Sequence, residues 1–169
     1  MSRQLVLLRH AKSAYPSGVP DQRRPLSERG ERDAVAAGLA ARKLVPDPAL
    51  VLVSSATRAQ QTWSLAAQAW THPPRHLTEP RIYEATTDDL LLLIREVDAK
   101  VGSLILVGHN PGFEELAFAL AADDSDEAAM EAMSVKFPTC ALAVFQVERE
   151  WPHMVHRSAQ LTSFEAPRG

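Results

Sequence analysis

Four side chains able to bind or attack anions stand at or just beyond the ends of short apolar runs. Arg9 and His10 follow Leu5-Val6-Leu7-Leu8, Arg58 comes shortly after Leu50–Val53, and His109 follows the run 103–107 and Gly108. A guanidinium is planar and permanently charged, and its fork matches phosphate oxygens two at a time. An imidazole can donate a proton, accept one or attack as a nucleophile near neutral pH. Two arginines and two histidines brought together therefore make a site for an anion, with a phosphoryl group as the natural ligand. Helices that start near Thr57 and Asn110 would add backbone N–H donors. Each pattern alone also has a plain reading, Arg9-His10 as a charged strand end and His109 as a helix-capping residue. Arg58 in the first turn of a helix opposes the helix dipole at a cost of about 0.3–1 kcal/mol, which a bound anion would relieve.

These residues meet only if the runs before them are neighbouring strands of one sheet, because ligands of open α/β sheets bind beyond the carboxyl ends of the strands. The alternation along the chain fits that requirement. Residues 4–8 are almost continuously apolar, as in a strand covered on both faces. Residues 12–25 are polar and carry Pro and Gly, which marks a long loop of the functional kind. Ser27 caps a helix with Glu28 and Glu31 in its first turn, and Pro46 and Pro48 bar its continuation. Leu50–Val53 reads as the second strand, and Thr57 with Gln60 makes a capping-box pattern for the next helix, whose buried face is Trp63, Ala66, Ala67 and Trp70. Residues 73–80 read as a proline-rich connector. Thr86 and Asp89 repeat the capping signal, and Leu90, Leu93, Ile94 and Val97 form a helical stripe. A strand at 103–107 leads into a helix bearing Phe113, Leu116, Ala117 and Leu120. The acidic residues 123–127 read as a solvated loop, and 140–147 and 154–162 as two closing strands, antiparallel at the sheet edge. The fold expected is α/β, a three-layer α/β/α sandwich with a mostly parallel central sheet, in one domain over residues 1–169.

Composition narrows the function. The chain of 169 residues carries 18 Lys and Arg against 21 Asp and Glu, and a net charge of −3 disfavours nucleic acid as a partner. No apolar run approaches the roughly 18 residues of a membrane span, so no membrane partner is expected. The one cysteine, Cys140, leaves neither a disulfide framework nor a multi-cysteine zinc site, and a reducing cytoplasm is the expected compartment. Cys140 reads as a small core residue. His72, His76, His153 and His156 have no helical i, i+4 spacing, and His153 and His156, three apart by an expected strand, point to opposite faces. No metal or other cofactor is expected. The charge is unevenly placed: residues 1–58 hold 10 basic and 5 acidic side chains, whereas residues 59–169 hold 8 and 16.

Four blocks in order carry a family likeness. Leu8-Arg9-His10-Ala11-Lys12-Ser13, Arg24-Pro25-Leu26-Ser27-Glu28-Arg29-Gly30, Ser54-Ser55-Ala56-Thr57-Arg58-Ala59-Gln60-Gln61-Thr62 and Val107-Gly108-His109-Asn110-Pro111-Gly112 resemble the histidine phosphatase superfamily, of phosphoglycerate mutase-like fold, and within it the small SixA-type phosphohistidine phosphatases. The likeness spans residues 5 to 118, and the one departure is Ala11, where the superfamily commonly has Gly. The resemblance implies a covalent two-step phosphoryl transfer. His10 would be the nucleophile, kept neutral by its basic neighbours, while Arg9, Arg58 and His109 hold the phosphoryl oxygens. Arg24 and Asn110 would also face the phosphate, and Glu84 stands where many members keep a proton donor. The short spacing between blocks leaves an open cleft, which favours a phosphorylated protein, a phosphohistidine, as substrate. A small phosphomonoester or nucleotide-derived substrate is the alternative, and a phosphate-binding module without turnover is a third reading.

Overall fold

The computed structural model describes residues 2–169. Eleven elements alternate along them: β1 (Arg3–Arg9), α1 (Glu28–Leu44), β2 (Leu50–Val53), α2 (Thr57–Ala66), β3 (His76–Thr78), α3 (Thr87–Arg95), β4 (Ser103–Gly108), α4 (Gly112–Leu120), α5 (Glu127–Val135), β5 (Leu142–Val147) and β6 (Gln160–Glu165). The strands form one sheet in the order β3-β2-β4-β1-β5-β6. β1, β2, β3 and β4 run parallel, and β5 and β6 close the edge antiparallel. The two-residue period of a strand sends alternate side chains to opposite faces. Leu5 and Leu7 therefore pack with α3, α4 and α5, while Val6 and Leu8 pack with α1 and α2. The expected three-layer α/β/α sandwich follows.

Local signals account for most helix ends. Ser27 Oγ accepts from Gly30 N–H at the start of α1, and at α3 Thr86 and Asp89 exchange both bonds of a capping box. The buried face of α1 is made of Ala34, Ala37, Gly38 and Ala41. A Cβ on Gly38 would overlap the Ala66 carbonyl, so the small face is what lets α1 lie directly on α2. Trp63 and Trp70 are buried beside them and Ala67 is half-buried, but α2 stops at Ala66 and tightens into a 3-10 turn.

Four expectations are corrected. Thr57 and Gln60 form no capping box: Ala56 occupies the cap position, and the Gln60 amide turns away to donate to Ser54 O and Thr78 Oγ1. The proline-rich connector contains β3, an edge strand of three exposed residues that is too short to show a pattern. The acidic stretch is not all loop. Asp126 caps α5 by accepting from Ala129 N–H, and Ala129 and Met133 bury its inner face. The last strand starts at Gln160, so the neighbourhood of His153 and His156 is a 3-10 turn and loop rather than a strand.

Candidate active site

Register assembles the site. Val53 of β2 stands beside Val107 of β4, and Arg9 of β1 stands beside Gly108, so three adjacent strands end in line. Backbone bonds continue past the ends, from His10 N–H to Gly108 O and from Ser54 N–H to Val107 O. Arg9, His10, Arg58 and His109 meet there as expected.

His10 is 7% exposed. Its Nδ1 lies 2.7 Å from Ala11 O, and because a carbonyl can only accept, Nδ1 carries the hydrogen and Nε2 of the neutral ring keeps its lone pair. Burial, and after it the nearby His109, Arg58 and Arg9, pushes the His10 pKa down to about 3, against the opposing pull of the Ala11 hydrogen bond. The basic neighbours expected to keep this ring neutral do contribute, but desolvation is the larger cause. Ala11 is fully buried and lies outside the left-handed backbone region, so nothing at this position demands glycine. Its N–H donates to Thr62 Oγ1, whose hydroxyl donates in turn to Arg58 O, tying the end of β1 to α2.

Arg58 is 6% exposed and divides its guanidinium between two partners. Nε donates to His10 Nε2 over a long 3.4 Å, while Nη1 and Nη2 donate to Asp21 O at 2.7 Å and Asp21 Oδ2 at 3.2 Å. Arg9 donates to Phe137 O at 2.9 Å, its Nε is buried without a partner among the described residues, and burial lowers its pKa. The rings of His10 and His109 lie 5.2 Å apart between centroids. His109 Nε2 meets Ser54 Oγ at 2.7 Å, and its Nδ1 is buried with no partner among the described residues. Burial first, then Arg58, brings the His109 pKa down to about 4.

The remaining expected residues surround this centre. Arg24 donates to Asp21 Oδ1 at 3.1 Å and Ser13 Oγ at 2.6 Å, and it lies 4.1 Å over the Tyr15 ring. Asn110 commits its amide donors to Phe137 O and Glu114, so no donor of its side chain is left for an anion. Glu84, exposed and in the left-handed region at φ 57°, lines a cavity of about 410 Å³ that opens from Arg58 and His109. Cys140 is buried, and burial pushes its thiol up to about 12, as fits a core residue.

Three contributors escape a reading by residue type. Asp21 is a carboxylate among the cationic side chains of the candidate site; Tyr83 Oη and Arg24 and Arg58 all donate to it, and these bonds, Tyr83 first, hold its pKa down to about 2. Its only sequence signal is a place three residues before Arg24. Ser54 looks like any strand-end serine, and Phe137 acts through its carbonyl, which no sequence marks.

Residues 5–101 match the sequence pattern of the histidine phosphatase superfamily (branch 1). The chain belongs to the histidine phosphatase superfamily. Over 162 residues it is 41% identical to the uncharacterized protein Rv1276c of Mycobacterium tuberculosis, a match covering 95% of this chain and 100% of that one. Among solved structures, a SixA protein of Nakamurella multipartitia, provisionally named a phosphohistidine phosphatase, superposes with a TM-score of 0.86 at 26% identity over 99% of this chain and 97% of that one. A protein of Agrobacterium tumefaciens with the same provisional name superposes at 0.79 with 30% identity, over 98% and 99% of the two chains. Within this member of the superfamily, Arg9, His10, Arg24, Arg58 and Glu84 fall inside the matched stretch, and His109 joins them through the pairing of β1 with β4.

The two depressed imidazoles have a consequence for stability. Unfolded histidine titrates near ~6.5, so between that pH and about 4 the unfolded chain binds protons that folded His10 and His109 refuse. Stability is therefore fully present above pH ~6.5 and falls as the pH drops toward 4. Asp21, held at about 2, extends the loss below the ordinary carboxylate range. Urea melts at pH 7.5 and 4.5 check this; an unchanged midpoint would contradict the assignment of neutral rings. No helix among the described residues is long and apolar enough to cross a membrane.

Proposed function

We propose that this protein is a phosphatase that transfers a phosphoryl group to His10 Nε2 and then to water, with phosphohistidine on a protein as its substrate. One observation carries the reading: a buried, neutral imidazole fixed by Ala11 O through Nδ1, with Nε2 facing the Arg58 guanidinium. In the first step the Nε2 lone pair attacks phosphorus, the bond to the leaving group breaks, and the leaving group takes the electron pair. Water then attacks the phosphohistidine, inorganic phosphate leaves, and His10 returns neutral.

The transition state spreads charge over three equatorial oxygens, so positioned cations carry most of the catalysis. Arg9 and Arg58 supply them, and neutral His109 adds a hydrogen-bond donor through its unpartnered Nδ1 once Ser54 Oγ donates to Nε2. The end of the Arg58 fork is held by Asp21, which leaves the Nε side for the phosphoryl group. Arg24, joined to the same carboxylate, stands at the edge of the anion site. A phosphohistidine that carries a proton on its other ring nitrogen releases a neutral imidazole, whose conjugate acid has a pKa of about 6.5, so Glu84 matters less here than it would for an alkoxide. The names of the two SixA neighbours support this substrate over a small ester.

The test is a panel at pH 7 of a phosphohistidine peptide and small phosphomonoesters, including nucleotide-derived ones. The peptide is expected to lead in kcat/KM; a clear lead for any phosphomonoester overturns the substrate assignment.

A further inference from the structure

The cavity beside the phosphate site carries both signs of charge in its lining, where the Arg58 guanidinium and the His109 ring are joined by the carboxylates of Asp21, Glu84 and Glu115. Asp21 and Glu114 are already engaged, the first by Arg24, Arg58 and Tyr83 and the second by Asn110. The side chains of Glu84 and Glu115 are exposed and take part in no hydrogen bond or ion pair among the described residues. The volume of about 410 Å³ sits at the lower end of the range for ligand pockets, room for one side chain with part of its flanking backbone.

We propose that this cavity receives the leaving group and that Glu84 and Glu115 select for positive charge on it, so that the preferred substrate is a phosphorylated segment flanked by lysine or arginine. The inference rests on the phosphatase reading above and adds to it the charge of what is taken. The phosphoryl group carries its negative charge to the arginines. Whatever it is attached to must then lie against two unpaired carboxylates, which attract a cationic flank and repel an acidic one. Interactions at such exposed groups are screened by salt, so the selection is modest and sensitive to ionic strength.

The alternative role for Glu115 is structural, since it lies in the first turn of α4, where acidic side chains suit the helix dipole. A structural role would show in the melting temperature and would not change which substrate is preferred. The experiment therefore measures a ratio. Two phosphohistidine peptides differing only in flanking Lys or Glu are compared at low ionic strength for the wild type, Glu115→Gln and Glu115→Lys. The wild type is expected to favour the Lys-flanked peptide by about fivefold to tenfold in kcat/KM, with the ratio falling stepwise through Glu115→Gln to near unity in Glu115→Lys and shrinking in high salt. A wild-type ratio near unity, or one that Glu115→Lys leaves in place, overturns the proposal. If neither peptide is hydrolysed but phosphomonoesters are, the phosphohistidine reading fails, and the ratio is read on phosphocholine against phosphoglycolate instead. A preference for phosphocholine that Glu115→Lys abolishes then supports the charge selection, and no preference, or one that survives Glu115→Lys, overturns it.

Discussion

His10→Ala is expected to reduce hydrolysis to the solution background while the protein keeps its cooperative melt. Removing a nucleophile that forms the covalent intermediate costs more than removing any group that assists it, and a loss of at least about 10⁴-fold in kcat is expected. The fold does not depend on the ring. His10 N–H still donates to Gly108 O, β1 keeps its full register with β4, and the side chain's one short bond goes to the neighbouring residue's own carbonyl. The wild type, quenched after a single turnover, is expected to carry an acid-labile phosphate on His10, and the variant none. Activity retained by a folded His10→Ala protein would remove His10 from the nucleophile role. A wild type that shows no labelled histidine would remove the covalent route.

Arg58→Lys is the second large effect, expected to cost about 10²–10³ in kcat/KM although it preserves the charge. An ammonium is a point donor on a flexible stem, whereas Arg58 holds His10 Nε2 and two oxygens of Asp21 at once. Lysine can satisfy Asp21 or a phosphoryl oxygen, and the carboxylate competes for it permanently. Steady-state kinetics of Arg58→Lys decide the matter, and a loss below about tenfold would show that charge alone suffices there.

Much of this arrangement is legible in the chain because it is dictated locally. The runs that form β1 and β4 are apolar on both faces and lie wholly within the sandwich, and such segments read the same in any context. Thr86 and Asp89 are spaced to bond one another, so their helix start is set within four residues. Thr57 and Gln60 have the same spacing and a different outcome, because Ala56 takes the cap position and Ser54 O, just past β2, and Thr78 of β3 offer the amide other partners. α5 is hidden behind its acidic leader, and β3 has too few residues to show a period. The site divides in the same way. Arg9, His10, Arg58 and His109 are marked by their chemistry at strand ends. Asp21 acquires its part only when the loop between β1 and α1 folds across α2, and the Phe137 carbonyl only when the segment before β5 comes to rest against Arg9 and Asn110.

The position of β1 has a consequence for synthesis. It is the first strand to emerge, yet its partners on either side are β4 and β5, with Gln4 beside both Ser103 and Gln146. His10 and Arg58 leave the ribosome well before the strand that brings His109, and until then β1 has no neighbour to hold its end in line. Long-range pairing of this kind is slow and arrives late. A nascent or truncated chain lacking β4 thus holds Arg9, His10 and Arg58 without His109 and without the strand that aligns them, and the candidate site assembles in the same event that seals the centre of the sheet.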